Sequence, residues 1–369
     1  MRAAFYAPMK APNHPTPSGD RRMARLLMAA LEQAGYRVDL ASDLRCYDAK
    51  GDPVAQATSR SESEAVANAL VARWREGDAD ERPDLWFTYH VYHKAPDWLG
   101  PAVVDALAIP YAIAEASHAP KRRGGPWDLG YRAAEAAIAR ADVVYAMTRL
   151  DSACLRPLVT PPHKLHYLPP FLDAADEIQA DRDALALRFG LDADVPWLLA
   201  VAMMRPGDKL ASYRELAAAL GRLDDVGWQL LVVGGGPARG DVEALMAGLE
   251  ERVRFCGVLH GDHLESIYAA ADLYVWPGVG EAYGMAFLEA QSQGTPVVAT
   301  DRRGIPDVVR AGTTGLLVRE DDPAAFAGAI RKLLNDTVLR EGMADAARNW
   351  VRADRSLSAT ARLLERTLP

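Results

Sequence analysis

Two glutamates flank a segment that is suited to receive an anion. The stretch from Asp272 to Val318 holds an apolar run ending at Trp276, a glycine-rich loop, and a helical segment from about Gly284 to Gln293. The first N–H groups of a helix lack internal acceptors and its dipole favours negative charge, so a helix start can bind phosphate. Small residues there let a ligand approach the backbone closely.

Carboxylates beside an anion site need another partner, because they would repel a phosphate. Seven residues separate Glu281 from Glu289. Hydrogen bonds to neutral hydroxyls would give both a role, Glu281 with a transferred sugar and Glu289 with a ribose. In the alternative interpretation, Glu281 is a carboxylate favoured by the helix dipole and Glu289 is a solvated helix residue.

Two cations follow an earlier apolar run. Arg205 and Lys209 lie just after a predicted strand, where both can reach a diphosphate. Arginine donates through a planar fork and lysine acts as a point charge. The alternative is that they are surface cations of a loop. The glycines of Leu231–Pro237 do not form a dinucleotide fingerprint, because Arg239 stands at its third glycine position.

These residues require a scaffold that brings strand ends together. Short apolar runs alternate with longer amphipathic segments, which is typical of parallel strands joined by helices. The pattern pauses near residue 172 and restarts, so we predict two doubly wound α/β domains facing across a cleft, with ligands beyond the strand ends. We place an N-terminal acceptor-side domain at 1–172, a donor domain at 173–350, and a C-terminal helix at 351–369 as a candidate for packing back on the first domain.

The strand candidates in the first half are Arg2–Tyr6, Tyr36–Leu40, Leu85–Tyr89, Ile109–Ile113, Asp142–Met147 and Leu165–Leu168. Those in the second half are Trp197–Ala202, Gln229–Val233, Val253–Cys256, Asp272–Trp276, Pro296–Ala299 and Gly315–Val318. We expect these strands to be apolar on both faces, because helices cover both sides of a parallel sheet.

Composition excludes several classes of protein. The chain of 369 residues has a net charge of −8, which disfavours general binding of nucleic acid. Its three cysteines are scattered without metal-ligand spacing, as in a reducing compartment. No secretory signal and no apolar run near the ~20 residues of a membrane span is present. We therefore expect a cytoplasmic protein, with peripheral contact to the inner membrane face left open.

The stretch from Asp272 to Val318 resembles the retaining glycosyltransferases of the GT-B fold, namely the glycosyl transferases group 1 family (glycosyltransferase family 4). Glu281 and Glu289 form its E-x7-E element, and the runs G-T-P-V-V-A-T, G-I-P-D-V-V and G-x-T-G-L-L-V are similar to the family as well. The resemblance implies two Rossmann-like domains. It also implies that Arg205 and Lys209 hold the donor phosphates, although three residues separate them where the family commonly has four.

The resemblance further implies donor contacts. The turn at Gly234–Gly236 resembles the one that lets the chain pass close to the nucleotide, and the segment around Val258 resembles the edge that meets the nucleobase. The implied donor-binding residues are Gly19, Gly235, Val258, Gly284, Met285, Ala286, Phe287 and Glu289.

The first half resembles the family less closely. Pro17–Asp20 stands where family members have a Gly-Gly loop; Gly19 takes one glycine position, and Asp20 is either a helix N-cap or a ligand contact. His118 corresponds to the histidine that faces the donor sugar in the family. His90 and His93, at the end of an earlier strand, are acceptor candidates like Asp20, or else structural histidines.

A basic run, Lys121-Arg-Arg123, lies beside His118. It either binds a phosphorylated or lipid-linked acceptor or forms a solvated loop.

We therefore predict a retaining, metal-independent glycosyltransferase that moves a sugar from a nucleoside diphosphate sugar to a hydroxyl acceptor, which is a glycan, a lipid-linked molecule or a small molecule. The predicted catalytic residues are His118, Arg205, Lys209 and Glu281. We expect no cofactor and no metal, because the Asp-x-Asp pairs fall in polar linkers. A sugar-nucleotide epimerase of the same fold and a catalytically silent binding module are the alternatives. The nucleobase, sugar, acceptor, linkage and oligomeric state stay open.

Overall fold

The computed structural model describes residues 1–16, 18–173, 177–249 and 251–369. These residues divide into two compact units. The first contains Met1–Pro169 and Leu357–Pro369, and the second contains Pro170–Ser356. Pro17, in the loop singled out from the sequence, lies outside the described residues.

The limits of the units differ from those placed at 172 and 350. Leu172 belongs to the second unit because its N–H donates to the carbonyl of Arg355 at 2.9 Å, and it forms a parallel bridge with Ser356. The second unit extends to Ser356 because its last helix runs to Asp354. Backbone hydrogen bonds therefore hold the start and the end of the second unit together.

Six parallel strands form the sheet of the first unit. They are β1 (Arg2–Tyr6), β2 (Arg37–Ser42), β3 (Leu85–Val91), β4 (Tyr111–Ala116), β5 (Val143–Ala146) and β6 (Leu165–Tyr167). The helices of this part are α1 (Gly19–Gln33), α2 (Pro53–Glu76), α3 (Leu99–Leu107), α4 (Asp128–Arg140) and α5 (Arg149–Leu155). The spatial order is β2-β1-β3-β4-β5-β6, so the chain reverses direction across the sheet between β1 and β3.

The position of a strand in this sheet decides how apolar it is. Every residue of central β3 is buried except His90, whereas edge strand β2 has no buried residue. The expectation of strands apolar on both faces is therefore right for the centre and wrong for β2. An edge strand meets solvent along one side, so it tolerates Arg37 and Asp39.

A buried carboxylate ties α3 to the sheet. Asp97 accepts hydrogen bonds from the N–H groups of Leu99 (2.9 Å) and Gly100 (2.8 Å), from Oη of Tyr111 (2.6 Å) and from Oγ1 of Thr88 (2.6 Å). Burial raises the pKa of this carboxyl, and the four hydrogen bonds act in the opposite direction. The start of α3 is thus fixed against β3 and β4 by a single side chain.

The second unit repeats the plan with six parallel strands. They are β7 (Trp197–Val201), β8 (Gln229–Val233), β9 (Val253–Gly257), β10 (Leu273–Val275), β11 (Val297–Thr300) and β12 (Gly315–Val318). The helices are α6 (Arg182–Phe189), α7 (Asp208–Leu220), α8 (Arg239–Leu245), α9 (Asp262–Ala270), α10 (Met285–Ser292), α11 (Ile305–Val308), α12 (Pro323–Asn335) and α13 (Thr337–Asp354). The spatial order is β12-β11-β10-β7-β8-β9.

The last helix, α14 (Leu357–Thr367), returns to the first unit and packs against α1. Nε2 of Gln33 donates to Oγ of Ser358 at 3.1 Å, and Oη of Tyr145 lies 2.7 Å from Oγ1 of Thr367. The segment predicted as one C-terminal helix is therefore divided between the end of α13 and α14. Among the described helices, none has the length and apolar content that crossing a membrane requires.

Replacing Asp97 tests the role of the buried carboxylate. We expect Asp97→Ala to lower the free energy of unfolding by about 3 kcal/mol, because it leaves buried donors without an acceptor. Urea unfolding measures this. The matched control is Asp105→Ala on α3, because Asp105 is solvent-exposed and its ion pair with Arg140 (2.8 Å) should contribute less than about 1 kcal/mol. Equal losses in the two variants would contradict the assignment.

Candidate functional site

The strand order of the second unit brings two loops together. The chain runs from β7 through β8 to β9, then crosses to β10 on the other side of β7. Ligands of open α/β sheets bind at such switch points, beyond the carboxyl ends of the strands. The loop after β7 carries Arg205 and leads to Lys209, and the loop after β10 carries Glu281. The topology therefore places these three residues at neighbouring strand ends.

The glycine-rich turn after β8 supports the loop after β7. A Cβ atom at Gly234 would lie 2.0 Å from the carbonyl oxygen of Ala202, and one at Gly236 would lie 2.3 Å from that of Met204. Both glycines have positive φ angles, 138° and 152°. The N–H of Met204 donates to the carbonyl of Gly235 at 3.0 Å. The close partner of this turn is therefore the backbone of the neighbouring loop, and the nucleotide contact that the resemblance implies stays a prediction.

A pocket of about 230 Å³ lies at these two loops, and its lining includes Arg205, Asp208, Lys209 and Glu281. Nζ of Lys209 forms an ion pair with Oε1 of Glu281, and Nε1 of Trp276 donates to the same oxygen at 3.2 Å. The side chains of Lys209 and Glu281 are 25% and 17% exposed, so solvent screens the pair only in part. Arg205 is exposed and has no carboxylate partner in the described part of the chain.

Glycines also shape the approach to α10. Gly284 precedes the helix with φ of 83°, and a Cβ atom there would lie 2.7 Å from the ring of Phe287. A Cβ atom at Gly280, with φ of 68°, would lie 2.1 Å from the carboxylate of Asp208. Only glycine fits both positions, so the loop passes close to the start of α7 and turns sharply into α10.

The predicted donor contacts at the start of α10 are of two kinds, exposed backbone N–H groups and a buried side chain. Met285 and Ala286 take the first helical positions, whose N–H groups have no acceptor within an α-helix. Phe287 differs, because its ring is buried against Tyr274 with 5.5 Å between ring centroids. Its N–H donates to the carbonyl of Gly284 at 3.2 Å. The structure therefore places Phe287 in the core rather than at the open end of the helix.

Three further predicted donor residues lie in the second unit, Glu289 within α10 and Gly235 and Val258 after strands. Glu289 accepts a hydrogen bond from Oη of Tyr268 on α9 at 2.8 Å. Gly235 and Val258 are neighbours, because a Cβ atom at Gly235 would lie 3.2 Å from Cγ2 of Val258. Val258 is 59% exposed, which is unusual for a large apolar residue at the end of a strand. Gly235 and Val258 therefore lie side by side, after β8 and β9.

A histidine and two carboxylates meet in the first unit, where the sheet reverses between β1 and β3. Nδ1 of His90 lies 3.0 Å from Oδ1 of Asp20 and 3.9 Å from Oε1 of Glu115. His90 and Glu115 both have positive φ angles, 64° and 57°, which non-glycine residues adopt at a cost. Ser18 is the N-cap of α1, since its side chain accepts from the N–H of Arg21. Asp20 is therefore the partner of His90 and not the cap.

Charge and burial compete in this cluster. Burial lowers the pKa of His90, but the charge of Glu115 and the hydrogen bond and charge of Asp20 outweigh it, so the pKa is raised. Burial works against ionised Asp20, but the hydrogen bond and charge of His90 bring its pKa below the ordinary value. Burial raises the pKa of Glu115 against the attraction of His90. The arrangement favours a protonated His90 beside an ionised Asp20.

Sequence reasoning missed Glu115 and Asp151. Glu115 is a charged residue near the carboxyl end of an otherwise apolar strand, and that signal was present in the sequence. Asp151 accepts hydrogen bonds from Oγ of Ser117 (3.1 Å) and Oγ1 of Thr148 (2.6 Å), and its charge acts on His90. No pattern in the sequence sets Asp151 apart from other residues in the first turn of a helix.

His118 lies beyond the end of β4 and contacts α4. Its Nε2 is 3.0 Å from Oη of Tyr131 and 3.1 Å from Oε1 of Glu135, and its ring stacks on Tyr131 with 5.6 Å between centroids. Nε2 is therefore occupied within the first unit. Gly19 begins α1 at the surface, where a Cβ atom would meet nothing within 4 Å. The position of Gly19 thus has no steric need for glycine.

His93 lies apart from the cluster at His90. Its ring meets Trp127 edge-on with 5.9 Å between centroids, and that of Tyr92 edge-on at 5.2 Å. Across residues 1–16, 18–173, 177–249 and 251–369, no three side chains of the histidine, cysteine, aspartate and glutamate types are arranged to hold a metal ion.

Comparison with known proteins identifies part of the chain. Residues 196–336 match the family model described as glycosyl transferases group 1. Alpha-D-kanosaminyltransferase of Streptomyces kanamyceticus is 36% identical over 201 residues, 53% of this chain and 51% of that protein. D-inositol 3-phosphate glycosyltransferase of Nocardia farcinica (strain IFM 10152) is 32% identical over 208 residues, 54% of this chain and 46% of that protein. The chain spans about half the length of these curated relatives.

Solved structures match over almost the whole chain. Sucrose-phosphate synthase of Thermosynechococcus elongatus superimposes with a TM-score of 0.73 at 22% identity, covering 99% of this chain and 98% of the other. HepE of Anabaena in complex with UDP gives a TM-score of 0.75 at 17% identity, covering 100% and 99%. The predicted GT-B fold with two Rossmann-like sheets is confirmed, as is the resemblance to glycosyl transferases group 1.

Replacing Asp20 tests the pair with His90. We expect Asp20→Asn to lower the pKa of His90, because the variant removes the negative charge nearest to Nδ1. An NMR titration of the imidazole measures this pKa. Glu115 and Asp151 also face His90, so part of the elevation should remain. The control is His166 on β6, whose pKa is lowered by burial and should not change. An unchanged His90 pKa would contradict the assignment.

The same pair predicts a dependence of stability on pH. The raised pKa of His90 gives stability that is complete below its ordinary pKa of about 6.5 and is lost as pH rises through the raised value. The lowered pKa of Asp20 gives stability that is present above about pH 3.9 and is lost as pH falls through the lowered value. Near pH 5 both groups are charged, so Asp20→Asn should be less stable than wild type there. Near pH 9 His90 is neutral and the attraction between the charges is lost, so the two proteins should have similar stability. Thermal unfolding at both pH values measures this.

Proposed function

We propose that this chain, whose residues 196–336 match the glycosyl transferases group 1, transfers a sugar from a nucleoside diphosphate sugar to a hydroxyl acceptor. The observation that carries the proposal is the convergence of Arg205, Lys209 and Glu281 on one pocket. That pocket lies at the switch point of the second sheet, where nucleotides bind in this kind of fold. The two cations can bind a diphosphate, and the carboxylate can accept hydrogen bonds from the hydroxyls of a sugar.

The chemistry begins with the bond between the sugar and its phosphate. As this bond breaks, negative charge grows on the leaving diphosphate. Arg205 and Lys209 would stabilise that charge, together with the first N–H groups of α10 at Met285 and Ala286. Because these groups supply the positive charge that a metal ion provides elsewhere, we propose that the reaction needs no metal.

The ion pair between Lys209 and Glu281 gives the donor a specific way to bind. Without a donor, the two side chains neutralise each other. A nucleoside diphosphate sugar offers a phosphate to Lys209 and hydroxyls to Glu281, so it can replace both partners at once. A diphosphate without a sugar would take Lys209 away from Glu281 and offer the carboxylate no hydroxyl in return. Glu281 would then be an unpaired negative charge close to the phosphate. We therefore propose that Glu281 favours the intact donor over the bare nucleoside diphosphate.

We propose that the configuration at the anomeric carbon is retained. In this mechanism the leaving phosphate deprotonates the acceptor hydroxyl on the face from which it departs, and Glu281 positions the sugar without attacking it. The family resemblance supports this route, and His118 is the proposed histidine contact of the donor sugar. The acceptor is assigned to the first unit, with Asp20, His90 and His93 as candidate contacts.

The first donor to test is UDP-glucose. HepE of Anabaena, which shares the fold, has been solved in complex with UDP-glucose. Thermal shifts with nucleoside diphosphate sugars should reveal the preferred donor, because a bound ligand raises the melting temperature by mass action. The names of the relatives point to different acceptors, so the acceptor has to be found by experiment.

Replacing the cations and the carboxylate tests the proposed transferase. We expect Arg205→Gln, Lys209→Gln and Glu281→Gln each to lower kcat/KM for sugar transfer by about 10²–10³, the usual effect of removing a group that stabilises the transition state. Release of the nucleoside diphosphate measures the rate. Arg319→Gln is the control, because Arg319 is 81% exposed and pairs with nearby Asp322 at 3.5 Å. Full activity of the Glu281 variant would contradict the proposal.

Binding separates the roles of Lys209 and Glu281. We expect Glu281→Gln to bind the bare nucleoside diphosphate at least as tightly as wild type, because Lys209 is released from its ion pair. Lys209→Gln should bind it more weakly. Calorimetry on the two variants measures both affinities. Weaker binding of the nucleoside diphosphate by the Glu281 variant would exclude competition between the carboxylate and the phosphate.

Product stereochemistry tests retention. We expect the anomeric proton of the product to show the configuration of the donor, and transfer to continue in the presence of EDTA. NMR coupling constants of the purified product determine the configuration. An inverted product rules out the front-face route, and loss of activity that Mg²⁺ restores rules out metal independence.

A further inference from the structure

Two cations of the first unit lie against one aromatic ring, and a third is next to them in the chain. Nζ of Lys94 lies 5.0 Å from the ring centroid of Trp127, and Cζ of Arg122 lies 5.2 Å from it. Lys121 precedes Arg122, and its charge, like theirs, acts on His93. We call Lys94, Lys121 and Arg122 the cationic cluster, because the charges of all three act on His93. It holds three positive charges in a chain whose net charge is −8.

No carboxylate neutralises the cationic cluster within the described residues. Arg123, the next cation along the chain, pairs with Glu135 at 2.9 Å, whereas no ion pair involves the three members of the cluster. Asp48 lies beside Trp127, because its carbonyl accepts from Nε1 of Trp127 at 3.0 Å. The carboxylate of Asp48, however, accepts from three backbone amides of the following loop and from one glutamine. The positive charge is therefore uncompensated.

The protein holds the cluster in place with backbone contacts. The N–H of Asp48 donates to the carbonyl of Lys94 at 2.8 Å. A Cβ atom at Gly130 would lie 2.3 Å from the carbonyl oxygen of His93, so the start of α4 packs directly on the segment that follows β3. Lys94 follows β3 and Arg122 follows β4, at the carboxyl ends of the strands where ligands bind.

Two polar atoms at the cluster have no hydrogen-bond partner among the residues that the structure describes. They are Nε2 of His93 and Nε of Arg122, and both are shielded from solvent. Buried polar atoms without partners are costly and rare, so each needs an explanation. Burial, followed by the charges of Arg122, Lys94 and Lys121, lowers the pKa of His93 to about 4. Positive potential and an unused hydrogen-bonding group therefore occur together beside Trp127.

We propose that the cationic cluster binds a phosphoryl group carried by the acceptor. A phosphate monoester has a charge of about −1.5 to −2 and three terminal oxygens, which suits three cations and an arginine fork. A carboxylate offers one charge and two oxygens, which is a poorer match. The assignment of this group to the acceptor rests on the proposed function, whereas the phosphoryl site itself does not.

The neighbouring cluster of Asp20, His90 and Glu115 would orient such a ligand. The rings of His90 and Tyr92 are 5.0 Å apart and those of Tyr92 and His93 are 5.2 Å apart, so a row of rings joins the two clusters. Asp20 and Glu115 repel a phosphate but accept hydrogen bonds from hydroxyls. The phosphoryl end therefore lies at the cations, and the hydroxyl-bearing part lies towards His90.

Binding of inorganic phosphate to the full chain tests the site. At low salt we expect saturable binding, followed by NMR at the indole N–H of Trp127 and the imidazole of His93. The pKa of His93 should rise on binding, because the anion counteracts the cations. Lys94→Gln and Arg122→Gln should each weaken phosphate binding by about tenfold, since each removes a charged donor.

Two further variants separate loss of charge from damage to the fold. Arg132→Gln is the matched control, because Arg132 lies on α4, pairs with Asp128 at 2.7 Å, and should leave phosphate binding unchanged. Lys94→Arg keeps the charge and should keep binding. A wild-type protein that does not bind phosphate, or binding that survives both Lys94→Gln and Arg122→Gln, would overturn the proposal.

The source of the phosphoryl group is determined in a second experiment. The full chain is sedimented with phosphatidylcholine vesicles with and without phosphatidic acid, and titrated with a soluble sugar phosphate. Binding of the sugar phosphate alone assigns a soluble acceptor. Binding of phosphatidic acid vesicles that Arg122→Gln abolishes assigns a lipid-linked one. Both outcomes support the phosphoryl site, and binding of neither overturns it.

Sugar transfer is measured separately from phosphate binding. A protein that binds phosphate at the cluster but transfers no sugar keeps the site and loses its assignment to an acceptor. If transfer occurs, Arg122→Gln should raise KM for a phosphorylated acceptor by about tenfold with little change in kcat. An unchanged KM would overturn the assignment.

Discussion

The candidate donor site depends on a contact between two backbone segments that leaves no room for a side chain. The turn at Gly234–Gly236 meets the loop at Ala202–Met204 through carbonyl oxygens and a hydrogen bond. A backbone contact has no rotamers, so it fixes the loop after β7 more tightly than side-chain packing would. That loop carries Arg205 and leads to Lys209. The geometry around the pocket therefore starts from two positions that must be glycine, although neither provides a functional side chain.

Charges in the two units are handled in different ways. In the second unit, Lys209 and Glu281 neutralise each other in a partly buried pair, so an incoming ligand must exchange one set of partners for another. In the first unit, Asp20, His90 and Glu115 form one cluster and the cationic cluster beside Trp127 forms another, with aromatic rings between them. The first arrangement favours a ligand that carries both an anionic and a neutral polar part. In the second arrangement, the cations that would bind an anionic group and the carboxylates that would bind hydroxyls lie at different places.

The sequence predicted the scaffold better than it predicted the contacts. All twelve strand candidates overlap a strand, because buried runs between amphipathic segments are local patterns. The same patterns also predicted that Arg205, Lys209 and Glu281 lie close together, since the carboxyl ends of adjacent parallel strands lie at one edge of the sheet. Pairings between distant elements did not follow: nothing local links Asp151 to His90, or Lys94 to Trp127. Gly234 and Gly236 show the same limit. A glycine in the sequence indicates that a side chain would not fit, but it does not identify the neighbouring atoms, which here are backbone carbonyl oxygens. Phe287 was placed at the ligand by motif position, and packing against Tyr274 places it in the core.

The return of α14 to the first unit has a consequence for the order of events during synthesis. Residues up to Pro169 leave the ribosome first, yet α1 obtains its neighbour only when Leu357–Thr367 has been made. The intervening segment, Pro170–Ser356, takes about 10 to 40 seconds to translate at roughly 5–20 residues per second. During this interval the nascent first unit exposes the side of α1 that α14 later covers. The first unit is therefore completed only after the second unit has been synthesised.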